Sequence, residues 1–253
     1  MQLIDTHCHL DVAAFDTDRE EVLLHAQQAG VEHIVVPGIH TGNWLTVLGL
    51  CSLHPHLHPA LGLHPLFWQE HKDEDIDVLD KAINENHPVA VGEIGLDFYD
   101  KDADRRRQMD ILKAQLALAE KHELPVILHV RKAHDLMLKY LDRYELKGGI
   151  AHAFNGSIQQ AEKYIEHGFK LGFGGMLTYE RSTKLRKLAR DLPLESLVLE
   201  TDAPDMTVAS HQGERNSPEY LPECLAALAS VRDEDPETIA EQTTRNAKEV
   251  LKL

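Results

Sequence analysis

The stretch RRRQMDILKAQLALAEKHELPVILH, Arg105 to His129, contains the pattern that decides the fold. Within it Met109, Leu112, Leu116 and Ala119 recur at helical spacing, so Arg105 to Lys121 reads as a helix with one apolar stripe. After a short break, Val126-Ile127-Leu128 is a brief aliphatic run of the kind found in a strand buried on both faces. A helix that leads directly into such a strand is half of a βα repeat, whose strands pair in parallel and whose helices cover the sheet.

Working outward, the same rhythm fills the chain. Strands are expected at Leu3 to Asp5, His33 to Pro37, Pro59 to Leu63, Val89 to Gly92, Val126 to Leu128, Gly149 to Ala151, Phe169 to Gly172 and Leu197 to Leu199. Helices are expected at Asp18 to Ala29, Ala133 to Tyr144, Ser157 to His167, Thr183 to Asp191 and Pro218 to Val231, with Gly30 and Gly168 placed as C-terminal caps. Eight such units in 253 residues match the roughly 250 residues of a (β/α)₈ barrel. The expectation is an α/β fold, a TIM-like (β/α)₈ barrel forming a single domain over 1–253, with a C-terminal helical extension from about Pro236.

Composition narrows the function. No run approaches the roughly 18 apolar residues of a spanning helix, and Met1-Gln2-Leu3-Ile4-Asp5 lacks the basic and apolar regions of a secretory signal. Cys8, Cys51 and Cys224 are odd in number and form no Cys-x-x-Cys, which fits a reducing cytoplasm. A net charge of −16 repels polyanions and argues against a broad nucleic-acid footprint, so a phosphate substrate needs positive charge from metal ions or a small Arg/Lys cluster. With no exposed heptad, a monomer without an obligatory protein partner is expected.

The first chemical signal is His7-Cys8-His9, where strand alternation sends both imidazoles to one side. A chain with 17 histidines carries about one His-x-His by chance. His54-Pro55-His56-Leu57-His58 contains two more, and reads as a loop without a metal role because proline breaks the extended geometry. What raises the first pair is its company: Glu93 closes the fourth strand, His129 the fifth, His152 the sixth and Asp202 the eighth. In a barrel these ends converge on the C-terminal face, where catalytic groups come from several strands. Four histidines and two carboxylates exceed what one tetrahedral zinc takes, and they suit two divalent ions such as zinc, manganese or magnesium. A carboxylate such as Glu93 can bridge the pair.

Five stretches carry a family resemblance: Ile4-Asp5-Thr6-His7-Cys8-His9, Leu61-Gly62-Leu63-His64-Pro65, Val91-Gly92-Glu93-Ile94-Gly95-Leu96-Asp97, Leu124-Pro125-Val126-Ile127-Leu128-His129 and Leu199-Glu200-Thr201-Asp202-Ala203-Pro204. With them the chain resembles the TatD family of metal-dependent hydrolases, and within it the YjjV-like subgroup. The resemblance implies that His7, His9 and Asp202 hold one ion, His129 and His152 the other, and Glu93 both. It also implies hydrolysis of phosphodiester bonds in DNA, as by a 3′–5′ exonuclease. Departures are Asn155 where the family usually has Ser, and Val130 where a small polar residue is common; both border the pocket.

In this reading the ions activate a shared water, Glu93 and Asp202 are the catalytic carboxylates, and His64 and Arg131 contact the substrate. Glu200 and Asp205 flank the site as supports for the imidazoles or as rim charges. Arg181 to Lys187 is a phosphodiester funnel or a solvated helix face, Phe67 and Trp68 stack a base or pack their loop, and Arg215-Asn216-Ser217-Pro218 resembles the family's substrate-side loop. The competing functions are amide or ester hydrolysis on the same centre, and a metal-stabilised scaffold without turnover.

Overall fold

Each aliphatic run becomes one strand of a parallel sheet in the computed structural model, which describes residues 1–253. The strands are β1 (Leu3–Asp5), β2 (Val31–Pro37), β3 (Leu57–Leu61), β4 (Ala90–Asp97), β5 (Val126–Arg131), β6 (Gly149–Ala151), β7 (Phe169–Phe173) and β8 (Leu197–Leu199), paired in chain order. Between them run α1 (Arg19–Gln28), α2 (Trp44–Leu53), α3 (Asp75–Asn86), α4 (Arg105–Lys121), α5 (His134–Leu141), α6 (Ile158–Glu166) and α7 (Thr183–Asp191), followed by α8 (Leu221–Ala229) and α9 (Pro236–Leu251). The fold is the expected (β/α)₈ barrel with its C-terminal helix. No helix is long and apolar enough to cross a membrane.

β1 and β8 share no continuous ladder, and the gap is shut by separate bonds. Thr6 N–H donates to Leu199 O at 3.1 Å, Asp202 N–H to His7 O at 2.8 Å and His9 N–H to Ala203 O at 2.8 Å. Inside the barrel, Ile4, Val35, Ala60, Ala90, Ile127, Ile150 and Val198, from seven of the strands, form a floor of aliphatic residues. Ala247, Val250 and Leu251 of α9 pack onto that floor, so the last helix plugs the N-terminal mouth. Asn246 holds it there, donating to Leu194 O and Leu197 O at 2.8 and 2.7 Å. The larger core lies between sheet and helices; Leu112, Leu116 and Ala119 of the expected α4 stripe are buried in it. Gly30 and Gly168 do end α1 and α6, at φ +91° and +78°, which a side chain would strain.

Several boundaries differ from the expectation for physical reasons. β4 and β5 run on to Asp97 and Arg131, so Glu93 and His129 lie inside strands rather than at their closing residues. The polar residues there satisfy each other across the ladder, which a search for aliphatic runs does not register. β3 starts and ends two residues early: Leu57 pairs with Ile34, and Leu63 leaves the ladder because its N–H donates to Gln115 Oε1 at 2.7 Å. His58 therefore lies in β3, with its Nε2 2.9 Å from His33 Nδ1, while His54 faces Glu20. Pro218–Tyr220 is a separate 3₁₀ turn, and the helix expected from Pro218 begins at Leu221.

Candidate metal centre

At the C-terminal ends of the strands, one carboxylate stands among four imidazoles. Glu93 Oε2 is 3.1 Å from His7 Nε2 and 3.6 Å from His9 Nε2, and Glu93 Oε1 is 3.3 Å from His64 Nε2 and 3.1 Å from His129 Nδ1. His7 and His9 point their Nε2 atoms at each other across 3.2 Å, and Asp202 Oδ1 lies 3.7 and 3.8 Å from them. His152 stacks on His7 with ring centroids 3.7 Å apart, and its Nε2 is 3.7 Å from Asp202 Oδ2. All six residues expected to hold metal thus share one rim. His64, expected at the substrate, is nearly as close to Glu93 as His129 is, at 3.3 against 3.1 Å, whereas the His129 and His152 ring centroids are 6.5 Å apart.

Three sets of donor atoms converge tightly: His7, Glu93 and His152; His7, His9 and Asp202; and His64, Glu93 and His129. Burial opposes a charge on Glu93, but the imidazoles of His64 and His7, with a bond from His129, override it and hold its carboxyl well below the usual range. Burial pushes Asp202 up to about 6. His152 rises to about 10 against its burial, through Glu200 and Asp202. This surplus of carboxylate favours positive charge at the centre.

The fit of a cation is clearest at His129. Its Nε2 lies 2.9 Å from Asp97 Oδ2, and a carboxylate only accepts, so Nε2 carries the proton. Its Nδ1 faces another carboxylate, Glu93 Oε1, at 3.1 Å, and although burial opposes a charge on the ring, the two carboxylates raise its pKa. Positive charge is therefore favoured between Nδ1 and Glu93, as a proton or as a metal ion. Nitrogen and carboxylate oxygen together are a donor set for zinc, manganese and similar ions.

Residues one step out hold this geometry, and the sequence reading gave most of them no role. Asp97 is fully buried; burial works against its charge, yet bonds from His129 and the Tyr99 N–H, with Arg131 nearby, keep its carboxyl below the ordinary range. Asp5 accepts from Thr201 N at 2.9 Å, Thr201 Oγ1 at 2.5 Å and His7 N at 3.2 Å, and so ties together the backbones that carry His7 and Asp202. Burial still raises Asp5 to about 7. Gln108 and Gln115 lie on the buried face of α4; Gln108 Oε1 accepts from Asp97 N at 2.9 Å, and Gln115 bonds both backbone groups of Leu63, next to His64. Each is a polar residue at a core position of a helix, which is the sequence signal that could have marked them. Glu200 is buried 3.1 Å from His152 Nδ1 and accepts from Ala153 N; a Cβ on Gly172 would collide with its carboxylate.

The centre opens into a cavity of about 890 Å³, which His64, Arg131, Asp205, Arg181 and Lys184 help to line. Phe67 lines it and Trp68 does not. Arg181 leans on Tyr179 at 5.0 Å and Lys184 Nζ donates to Asn155 O at 2.6 Å, so the basic run after β7 is partly engaged with the protein itself. Arg215 pairs with Asp18 and stacks on Phe15. Its neighbour Asn216 is buried and donates to Thr201 O and Asp205 O, which braces the Asp202 loop from behind.

Comparison with known proteins agrees with this geometry. The family described as TatD related DNase matches residues 4–252. The chain is 44% identical to the uncharacterized metal-dependent hydrolase YjjV of Escherichia coli over 249 residues, covering 97% of this chain and 96% of the relative. It is 32% identical to a protein named 3′-5′ ssDNA/RNA exonuclease TatD from Salmonella typhimurium, covering 99% of each. The crystal structure of the E. coli YjjV protein superposes with a TM-score of 0.96 at 42% identity, covering 99% of this chain and 98% of that one. A TatD family protein from Entamoeba histolytica, 20% identical, shares the fold with a TM-score of 0.87. With the family's pattern matched from β1 to the last helix, the chain belongs to the TatD related DNase family.

Proposed function

We propose that this protein is a divalent-metal-dependent phosphodiesterase that removes nucleotides from the end of single-stranded nucleic acid. The observation that carries the proposal is Glu93, whose two oxygens each face two imidazoles at the floor of a cavity lined by Arg131, Arg181 and Lys184. His7, His9 and Asp202 would hold one ion and His129 and His152 the other, with Glu93 serving both. When bound, such a pair acts as a Lewis acid and brings the pKa of water near neutrality. A relative bearing an exonuclease name at 32% identity supports nucleic acid as the substrate. Unpaired cysteines, Cys8 and Cys224 buried, support a cytoplasmic location.

The chain's own residues then do the following. Asp202, its carboxyl raised by burial, accepts the proton released by the attacking water. His64 accepts the Leu66 N–H at Nδ1, 3.2 Å away, so its neutral ring has the proton on Nε2, where it faces Glu93 Oε1 at 3.3 Å and steadies that carboxylate at the cavity wall. Arg131 supplies a guanidinium for a phosphate oxygen. Asp97 keeps His129 turned toward Glu93.

The test is turnover of metal-reconstituted protein on single-stranded DNA, single-stranded RNA, duplex DNA, a simple phosphodiester and an amide panel. Cleavage of single strands is expected, with Asp202→Asn about 10²-fold slower when both proteins are compared at saturating metal. Wild-type rates in Asp202→Asn would remove its proton role. Amide or ester hydrolysis is the second reading, favoured by the apolar wall of Ile39, Leu66, Phe67, Met176 and Met206, and cleavage confined to the amide panel would establish it.

A further inference from the structure

Just beyond β4, Tyr99 is 58% exposed and packs against Arg131, a residue of the cavity wall. A single exposed ring needs no explanation in itself, but this one carries two cations. Arg131 Cζ stands 4.2 Å and Lys132 Nζ 4.7 Å from its centroid. Lys132 is one of the few non-glycine residues with a left-handed backbone, at φ +54°. That conformation is costly for an ordinary side chain and clusters at ligand-contacting sites. Arg131 also lines the cavity, and it links the ring to the wall that carries the metal centre.

The platform is rigidly tied to the chemistry. Tyr99 N–H donates to Asp97 Oδ1 at 2.9 Å, and the other oxygen of Asp97 takes His129 Nε2. A single buried carboxylate therefore fixes both the backbone that carries the exposed ring and an imidazole of the centre. Charge favours the same place. Across residues 97–107 and 131–132 there are six Lys and Arg against four Asp, a positive balance on a chain of net −16.

We propose that Tyr99, with Arg131 and Lys132, is a docking subsite for the nucleotide adjoining the scissile phosphodiester of a single strand. The base stacks on the ring, and the phosphate draws the two cations off it. Every base has a π-face, so such a platform tolerates sequence, while a paired and stacked duplex offers no free face. The subsite rests on the phosphodiesterase reading above.

Binding of a non-hydrolysable phosphorothioate oligothymidylate to the metal-loaded protein tests it. Tyr99→Ala is expected to weaken binding about tenfold, and Tyr99→Phe to stay within about twofold of the parent. Lys132→Ala is expected to weaken binding and to lower the slope of log K against log salt by about 0.7. Metal content of Tyr99→Ala should equal that of the parent. An unchanged dissociation constant in Tyr99→Ala, equal weakening in Tyr99→Phe, or loss of metal along with affinity would overturn the subsite. Parent protein that binds the strand but cuts no phosphodiester would leave the subsite standing and remove the phosphodiesterase reading. Cleavage with binding insensitive to Tyr99 would do the reverse, and no strand binding at all would remove both.

Discussion

Asp97 is the residue on which the centre's precision turns, although it faces no ion itself. Its carboxylate fixes which nitrogen of His129 carries the proton and which way the ring points, and partners of this kind typically change metal affinity 10–100-fold when altered. Asp97→Asn keeps the volume but weakens the acceptor. It should lower affinity for one of the two ions by about tenfold or more, read by titration of the apo-protein, with the folded spectrum unchanged. Two equivalent, unweakened sites in that variant would show that His129 is oriented by packing alone. At this scale the sequence pointed to the residues that meet at the rim and, among their supports, to Glu200 beside His152, but not to Asp97 or Asp5. His7, His9, Glu93, His129, His152 and Asp202 could be picked out because each follows or ends an aliphatic run. Asp97 and Asp5 lie in the same stretches, but what a buried carboxylate does depends on the donors around it, which come from other strands.

Helix α4 links that residue scale to the barrel. Its apolar stripe was legible from spacing, and Leu112, Leu116 and Ala119 are indeed buried. Gln108 and Gln115 share that buried face and clamp the backbones at Asp97 and Leu63. Replacing Gln115 by Leu leaves a buried N–H and a buried C=O of Leu63 without partners, at about 1–3 kcal/mol for each group. Gln115→Leu should therefore lower unfolding stability by roughly 2–6 kcal/mol in urea, despite its greater hydrophobicity. A loss below about 0.5 kcal/mol, within the range of an ordinary surface change, would mean that water or a shifted loop satisfies Leu63. Strand lengths were the less legible part. β4 and β5 continue past their aliphatic residues because Gly95, His129, Asp97 and Arg131 remain in register.

Taken whole, the molecule has a chemical end and a plugged end. α9 closes the N-terminal mouth with Ala247, Val250 and Leu251 against the aliphatic floor, far along the strands from the metal centre. A charge introduced there lies in an apolar layer without a partner. Val250→Asp should cost at least about 3 kcal/mol and lower the melting temperature by roughly 6–12 °C, while protein purified in the cold keeps its metal stoichiometry. A parallel loss of metal at the same temperature would show that the two ends unfold as coupled neighbours even under native conditions. The helix was expected from its sequence as an extension; its position under the barrel was not, because an amphipathic face states that it will be covered and not by what.

The sequence alone determined the repeating βα order, the closed parallel sheet and the six residues gathered at one rim, because periodicity and strand-end position are local properties that a fold of this class converts directly into geometry. Only the tertiary structure decided that Glu93 divides its oxygens between two pairs of imidazoles, that His64 stands nearly as close to it as His129 does, and that Asp97 joins Tyr99 to the centre. Those are relations between residues tens of positions apart, set by register, side-chain direction and burial, and no stretch of chain encodes them by itself.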